Sequence, residues 1–544
     1  MLKTLAGLSV VSLVALGCGG GAAEGTKTTP TGTDSSKPGA GPGDSSFEIA
    51  PIAINGVMFE PEALGRPGMP TVDSKRPTTI DKQRKLVDTA KDPVVKQAQA
   101  AVLATLLYRK AKELKGDEQS TILKDARQVL RDSAAAATSQ PNGKADEITL
   151  RLMGTYDVWL GDDFASAEKN WGELVTDAPK DKEAGTFRTW WAYSLLMEYK
   201  NADALDAVKD QAVDPKTPEL DYVIAWAKFR TGDNAGAWQA ILAAWKGWNT
   251  GNKDLLERDV IVFAGRTGAS LADATSALVD GRSKPEQYEV LAKLGLQGYQ
   301  FAGRWTDGIA AIEKAFAVAG STVPVNDVPV LRYSEADYTV RLDDPVKAAA
   351  YAKQALDALP TCGQKCSNQD KENIVESAYI MGRLFHILYA TAHDDRYYQP
   401  AHDLYAESIP LIAMNDKMRE EAQKDQSFLE GSFKSMKAGQ GKYDPQAIGA
   451  LLGRHNQEVQ ACYERALAAN PKLAGPLVVN LDVDQNGVVK GVATQPNAGA
   501  ADMAQVAGCV KTDAQAWKLP AVANGKGTPG TTRIKLTYNT APKK

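Results

Sequence analysis

Between residues 91 and 414 one spacing keeps returning: a small residue, a second residue four places on, and a third at seven. In WLGDDFASAEKNWGELVTDAP, Ala167 is followed by Trp171, Leu174 and, at the twelfth place, Pro179. In DDPVKAAAYAKQALDALP, Ala348 is followed by Ala352, Ala355 and Pro360 at the same offsets. Gly308 has Ile312 and Ala315 behind it, Ala401 has Tyr405 and Ser408, and Ala237, five residues after Gly232, has Ile241. Offsets of four and seven return to one face of a helix, and a proline beyond them ends it. Weaker copies at Ala204 and Ala272 fill the two longest gaps, giving a step of roughly 33–40 residues. Units of that size bury their apolar faces only by stacking, so a helical array is expected rather than a single round core.

The pattern resembles the tetratricopeptide repeat, in which the small residue lies where the two helices of a unit cross closely. The resemblance implies a concave surface that binds protein segments. Nine of the ten tryptophans lie between Trp159 and Trp305, and most are expected to pack helix on helix. Neighbours on a helix point in different directions, so Trp190 and Trp191 are the candidate anchors for a partner, one of them facing the groove. Cys362 and Cys366, in PTCGQKCSNQD between two helices, lack a neighbouring histidine and make a poor zinc site. A local disulfide is expected there, with redox chemistry as the alternative.

Catalytic signatures do not emerge. The four histidines, His386, His393, His402 and His455, complete no HExxH pattern, and no G-x-S-x-G elbow, P-loop or dinucleotide fingerprint occurs. Asp162-Asp163 and Asp394-Asp395 fall at expected turns, where aspartate caps helices. No catalytic residue, metal ligand or cofactor is assigned. Lysine and arginine number 63 against 67 acidic residues, without a long block of one sign, which argues against nucleic acid as the main partner.

The chain opens with MLKTLAGLSVVSLVALG (1–17), one basic residue and then an apolar run too short to span a bilayer. Ala15-Leu16-Gly17-Cys18 resembles the bacterial lipoprotein signal, which implies lipidation of Cys18. An ordinary secreted protein is the alternative. Gly19, rather than an aspartate, points to the outer membrane facing the periplasm. Residues 18–46 are Gly, Thr, Ser, Pro, Ala and Asp almost throughout, the make-up of a disordered tether, and 47–90 read as an irregular extension. With Cys18 lipidated, four cysteines remain, and an even number in an exported chain suggests two disulfides.

After a polar connector (415–444), with Asp444 as N-cap, a helix opens at Pro445. LVVNLDV and VVKGVAT read as strands, ADMAQVAGCVKTDAQAW as a helix and TRIKLTY as a last strand, giving α-β-β-α-β. Between the first two strands, DVDQNG has the opening spacing of a calcium loop. Counted from Asp482, however, the ninth place is Lys490 and the twelfth Ala493, so Asn486-Gly487 reads as a tight hairpin turn. Cys462, Tyr463, Glu464, Pro471, Leu473, Gly475, Gly487, Val488, Cys509, Trp517 and Pro520 carry a resemblance to the AgmX/PglI-type C-terminal domain of gliding-motility-associated proteins. The match covers about 100 of 544 residues, and Leu519 stands where that family has an aromatic residue. The resemblance implies a TonB-like module over 445–540, a Cys462–Cys509 disulfide and partner binding by strand addition. The last strand, with Arg533 and Lys535 on its outer side, is the expected docking edge; a closed cap on the array is the other reading.

The expected fold is therefore mainly α: a TPR-like helical solenoid over 91–414, then a small α/β TonB-like domain. The expected function is that of a non-enzymatic, lipid-anchored periplasmic adaptor for protein partners in an envelope or motility assembly. A cell-wall or polysaccharide hydrolase with its site in the helical region, or a periplasmic ligand carrier, are the alternatives.

Overall fold

The computed structural model describes residues 45–56, 59–72, 79–140, 143–177, 181–209, 217–249, 252–392, 395–413, 417–435, 445–496, 503–519 and 532–542. The signal, Cys18, nearly all of the tether, Pro179, His393, Asp394, Asp444 and Pro520 lie outside the described residues. The chain divides into two compact units, Glu60–Phe263 and Ala264–Lys544 together with Met1–Phe59.

In the Glu60–Phe263 unit the helices are α1 (Ile80–Thr89), α2 (Pro93–Ala111), α3 (Gly116–Thr138), α4 (Glu147–Leu160), α5 (Phe164–Asp177), α6 (Ala184–Met197), α7 (Asn201–Ala207), α8 (Pro218–Thr231) and α9 (Asn234–Gly247). The unit ends within α10 (Lys253–Arg266). They pack as sequential pairs, α2 on α3, α4 on α5, α6 on α7 and α8 on α9. Starts and stops follow local chemistry. Asp146 accepts from the Thr149 N–H at 2.7 Å to open α4, Thr217 precedes Pro218 at the start of α8, and Gly161 (φ +65°) and Gly232 (φ +89°) close α4 and α8.

The repeat spacing marks the buried face: Ala167, Trp171, Leu174, Ala237, Ile241 and Ala244 are all at most 2% exposed. Where α4 crosses α5, a Cβ on Gly154 would come within 2.7 Å of the Trp171 ring. Glycine inside a helix normally costs about 0.5–1 kcal/mol against alanine. Gly154→Ala should nevertheless lower stability by about 1–3 kcal/mol, the cost of overpacking, with urea unfolding as the readout.

In the second unit, α11 (Leu271–Leu278) and α12 (Lys284–Lys293) are followed by a π-helical turn (Leu294–Tyr299) and α13 (Trp305–Ala319). The run continues through α14 (Val328–Arg341), α15 (Pro345–Cys362), α16 (Asn368–Ala392), α17 (Tyr398–Ser408) and α18 (Lys417–Ser435). Again α12 packs on α13, α14 on α15 and α16 on α17, with Gly308, Ile312, Ala315, Ala348, Ala352, Ala355, Ala401, Tyr405 and Ser408 buried. Ala272 is exposed, and the buried face of α11 is Ala274, Thr275 and Leu278, so that copy of the spacing is displaced by two residues. Pro360 does not stop α15, which runs on to Cys362. The expected connector holds α18, whose Ala422 and Leu429 are buried and whose Asp425 accepts from the Tyr379 hydroxyl at 3.0 Å.

The C-terminal module follows as α19 (Pro445–Leu452), a single 3-10 turn, α20 (Asn456–Leu467), β3 (Gly475–Val483), β4 (Val489–Pro496), α21 (Met503–Ala514) and β5 (Thr532–Pro542). The α-β-β-α-β order read from sequence is present, except that its single first helix is broken into α19 and α20 by the 3-10 turn at Gly453–His455. β3 is central, antiparallel to β4 and β5, and Leu477, Val479, Leu481 and Val483 turn fully buried side chains to the helices. Two further strands come from the other end of the chain. β1 (Ser45–Glu48) and β2 (Ile52–Gly56) lie parallel along the far side of β5, pairing Ser45 with Thr532 and Ile52 with Tyr538. The tether thus gives way to a strand at Ser45, and the irregular extension carries β2 and α1. Among the described residues the architecture is paired helices plus a five-stranded sheet.

Candidate partner-binding sites

In the Glu60–Phe263 unit, residues 60–67 form a strap held by helices far away in sequence. Both Glu60 carboxylate oxygens are bound, one by the Tyr199 hydroxyl (2.7 Å) and one by Arg230 (2.7 Å). The Arg230 side chain is 1% exposed and packs over the Tyr199 and Trp226 rings at 4.7 and 5.6 Å, its other nitrogen donating to the Leu196 carbonyl. Glu62 pairs with Arg258 at 2.9 Å. The Ala63 N–H donates to the Tyr222 hydroxyl, which in turn donates to the buried Asp259. Burial pushes the Asp259 carboxyl up to about 6, against the Tyr222 hydroxyl and the Arg258 charge. The strap turns at Gly65 (φ +69°), and its Pro67 carbonyl accepts from the Trp159 indole at 2.9 Å.

Backbone strain marks this place. Three non-glycine residues have positive φ among the described residues: Tyr199 (+58°), Asn252 (+65°) and Asp343 (+59°). Tyr199 and Asn252 both hold the strap, Asn252 through its amide to the Ala63 carbonyl at 3.5 Å. Tyr199 follows the end of α6 in the conformation that Gly161 and Gly232 take at the ends of α4 and α8. A side chain there costs on the order of 1 kcal/mol, and the ring over Arg230 and the bond to Glu60 offset it.

Asp343 marks a second place, where the C-terminal module meets α13 and α14 within its own unit. Glu458 accepts from the Trp305 indole (2.8 Å), the Trp517 indole (2.6 Å) and His455 Nδ1 (3.1 Å). His455 stacks on Trp517 with centroids 4.4 Å apart. Its Nε2 faces the Arg454 Nε–H at 3.1 Å, so the neutral Nδ1–H tautomer satisfies both neighbours. Arg454 donates to the carbonyls of Val340 and Lys518 and pairs with Asp343, to which Tyr397 also donates. Arg341 returns to the Arg454 carbonyl and packs over Trp305 at 4.6 Å. Burial lowers the His455 pKa. Burial also works to raise that of Glu458, but His455 and the two indoles outweigh it and hold the carboxyl below its usual range.

The residues singled out by sequence fall into three groups. Cys462–Cys509 and Cys362–Cys366 are disulfides with Cα atoms 5.7 and 5.6 Å apart. Of the family-motif positions, Tyr463 is fully buried and donates to the Leu473 carbonyl, Glu464 pairs with Arg266 at 2.6 Å, and Trp517 binds Glu458. Gly475 opens β3, its carbonyl accepting from Thr540, and Gly487 (φ +77°) makes the β3–β4 turn. Asp484 accepts from the N–H groups of Asn486 and Val488 and pairs with Lys490, the bonds of a turn.

The docking candidates fare differently. Trp190 is 6% exposed and packs edge-on against Tyr193, while the half-buried Trp191 covers Gly172 of α5. The last strand is not an edge: β5 is paired on both sides, Lys535 with Glu48 at 3.0 Å and Arg533 with Asp482 at 2.9 Å. The cause is topological: the strands that cover β5 precede the whole helical region in the chain. Among the described residues carboxylates converge on a shared arginine at more than one place: Asp157 and Asp163 on Arg131 at 2.7 Å each, and Glu313 and the fully buried Glu335 on Arg332 at 3.1 and 2.7 Å. Burial pushes Glu335 up to about 8, and Tyr351 donates to Glu313.

No protein-family profile matches this chain, and no curated protein does. Among solved structures, a signal-transduction ATPase with numerous domains that carries a tetratricopeptide-repeat sensor, from Pyrococcus horikoshii, is similar at 12% identity and a TM-score of 0.21. The match covers 65% of this chain and 52% of that one, so the chain spans about half the length of the neighbour. At that score the likeness adds nothing to what the helix pairs show by themselves.

Proposed function

We propose that this chain is a membrane-tethered, non-enzymatic adaptor of the cell envelope, anchored through Cys18 and built on TPR-like repeats and an AgmX/PglI-type, TonB-like module. Its partners are protein segments, in an envelope or gliding-motility assembly. The observation that carries the reading is that two kinds of surface already receive chain segments in cis. The helical array holds Glu60 and Glu62 on Arg230, Tyr199 and Arg258, and β5 accepts β1 and β2 as added strands. Strand addition and capture of an acidic segment by buried arginine are general modes of peptide recognition. A partner segment with an acidic extended stretch would meet the same chemistry.

Site-specific photo-crosslinking in cells, with the full chain and the crosslinker beside the strap, tests this. A discrete protein partner is expected, and labelling of bulk protein alone in proportion to abundance would sink the adaptor reading. The anchor is tested separately: Cys18→Ser should move the protein from the membrane fraction to the soluble one, and unchanged fractionation would contradict lipidation.

A further inference from the structure

The Cys462–Cys509 disulfide joins α20 to α21, and its two sulfurs are not equivalent. Cys462 is 2% exposed, whereas Cys509 is half-buried at the surface. One turn on from Cys509, Asp513 sets a carboxylate oxygen 3.3 Å from the Cys462 sulfur and 4.0 Å from that of Cys509. One turn on from Cys462, Arg465 brings a guanidinium nitrogen to 3.6 Å from the Cys509 sulfur.

A half-buried carboxylate is a poor neighbour for an inert staple. A disulfide has no hydrogen to give it, and electron-rich groups face each other across the contact. Reduced Cys462 would carry the missing hydrogen and donate it to Asp513. The guanidinium likewise gains most when Cys509 is a thiolate. Both neighbours are thus better matched to the dithiol than to the disulfide. The three ligand atoms of Cys462, Cys509 and Asp513 lie within 4.8 Å of one another, but the Arg465 charge beside them opposes a cation.

We propose that Cys462–Cys509 is a redox pair that exchanges with an external dithiol, with Cys509 as the sulfur attacked and Asp513 as the acid that serves Cys462. A thiolate of the dithiol attacks Cys509 Sγ, a new S–S bond forms, and the Cys462–Cys509 bond breaks. Cys462 leaves with the electron pair and takes the Asp513 proton. The second thiol of the dithiol then attacks its own partner sulfur in the mixed disulfide and releases Cys509 as a thiolate beside Arg465. Two electrons pass to the protein and the dithiol becomes a disulfide. Of the dithiol's two protons one restores Asp513 and the other goes to solvent, leaving Cys462 as thiol and Cys509 as thiolate. The adaptor reading is not needed for this chemistry and would survive its failure.

The test uses the folded full-length chain, with dithiothreitol and glutathione as probes, trapping by alkylation and mapping of the peptides that carry residues 462 and 509. Burial pushes the Asp513 carboxyl up to about 6, with Glu458 adding and Arg465 opposing, so its proton is available mainly below that pH. Wild type should be reduced faster than Asp513→Asn, by on the order of tenfold below about pH 6. The gap should close toward pH 8, and Asp513→Glu should recover part of the rate. Glutathione, a monothiol, should leave its adduct on Cys509. Reduction only at the rate of global unfolding, equal rates for wild type and Asp513→Asn across the pH range, or a first adduct on Cys462 would each overturn the proposal.

Discussion

Glu458→Ala should release the C-terminal module from α13 and α14, at a cost of about 3–5 kcal/mol, the range for removing one member of a buried charged network. Three donors lose their acceptor at once: the indoles of Trp305 and Trp517, and His455 Nδ1. Each buried orphan costs roughly 1–3 kcal/mol, and the Trp517 ring loses the hydrogen bond that fixes it under His455. Glu458→Gln keeps one acceptor oxygen and should lose about half as much. Because a chain with two compact units need not unfold in one step, the measurement is hydrogen exchange of peptides spanning 456–467 and 503–519. Protection there should fall while that of the Glu60–Phe263 helices stays. The pH response has a definite sign. His455 is held below its ordinary value near 6.5, so only the undocked imidazole takes up a proton as pH falls through that value, and docking weakens on the acid side. Protection independent of Glu458 would make this cluster a bystander.

Arg230→Ala should free the strap and destabilise the Glu60–Phe263 unit by about 3 kcal/mol. The guanidinium is buried under two rings, so its loss leaves the Leu196 carbonyl with backbone donors only and Glu60 with Tyr199 alone. Glu60→Ala makes the complementary test, and a double-mutant cycle should give coupling above 1 kcal/mol for groups in direct contact. Tyr199→Gly separates strap-holding from helix-ending. It relieves the positive φ by on the order of 1 kcal/mol, yet removes the hydroxyl that binds Glu60. Proteolysis within 60–72 should therefore quicken in Tyr199→Gly even where the melting temperature holds.

What the sequence disclosed was local, and what it concealed was remote. Ala167, Trp171 and Leu174 share a helix face because of a spacing of four and seven, and that face is buried wherever the spacing is clean. The DVDQNG turn was readable because Lys490 stands where a calcium ligand would have to be, and Lys490 instead pairs with Asp484. The pairing of β1 and β2 with β5 left no such trace, since it joins opposite ends of the chain. Nor did the Glu60 site, assembled from residues after α6 and within α8. One signal was available. Tyr199 and Asp343 stand at helix ends where Gly161, Gly232 and Gly303 serve elsewhere, and each turned out to hold a contact that glycine cannot make.

On the proposed adaptor reading, partner segments take the places now held by the chain's own N-terminal residues. Quantitative in-cell photo-crosslinking of the full chain tests it most directly, comparing wild type with the Glu60→Ala, Glu62→Ala double variant and with Arg230→Met. A raised yield of one discrete adduct when the strap is released, and a lowered yield when the arginine is lost, is the predicted result. Equal yields in all three proteins, or no discrete adduct in any, would contradict it.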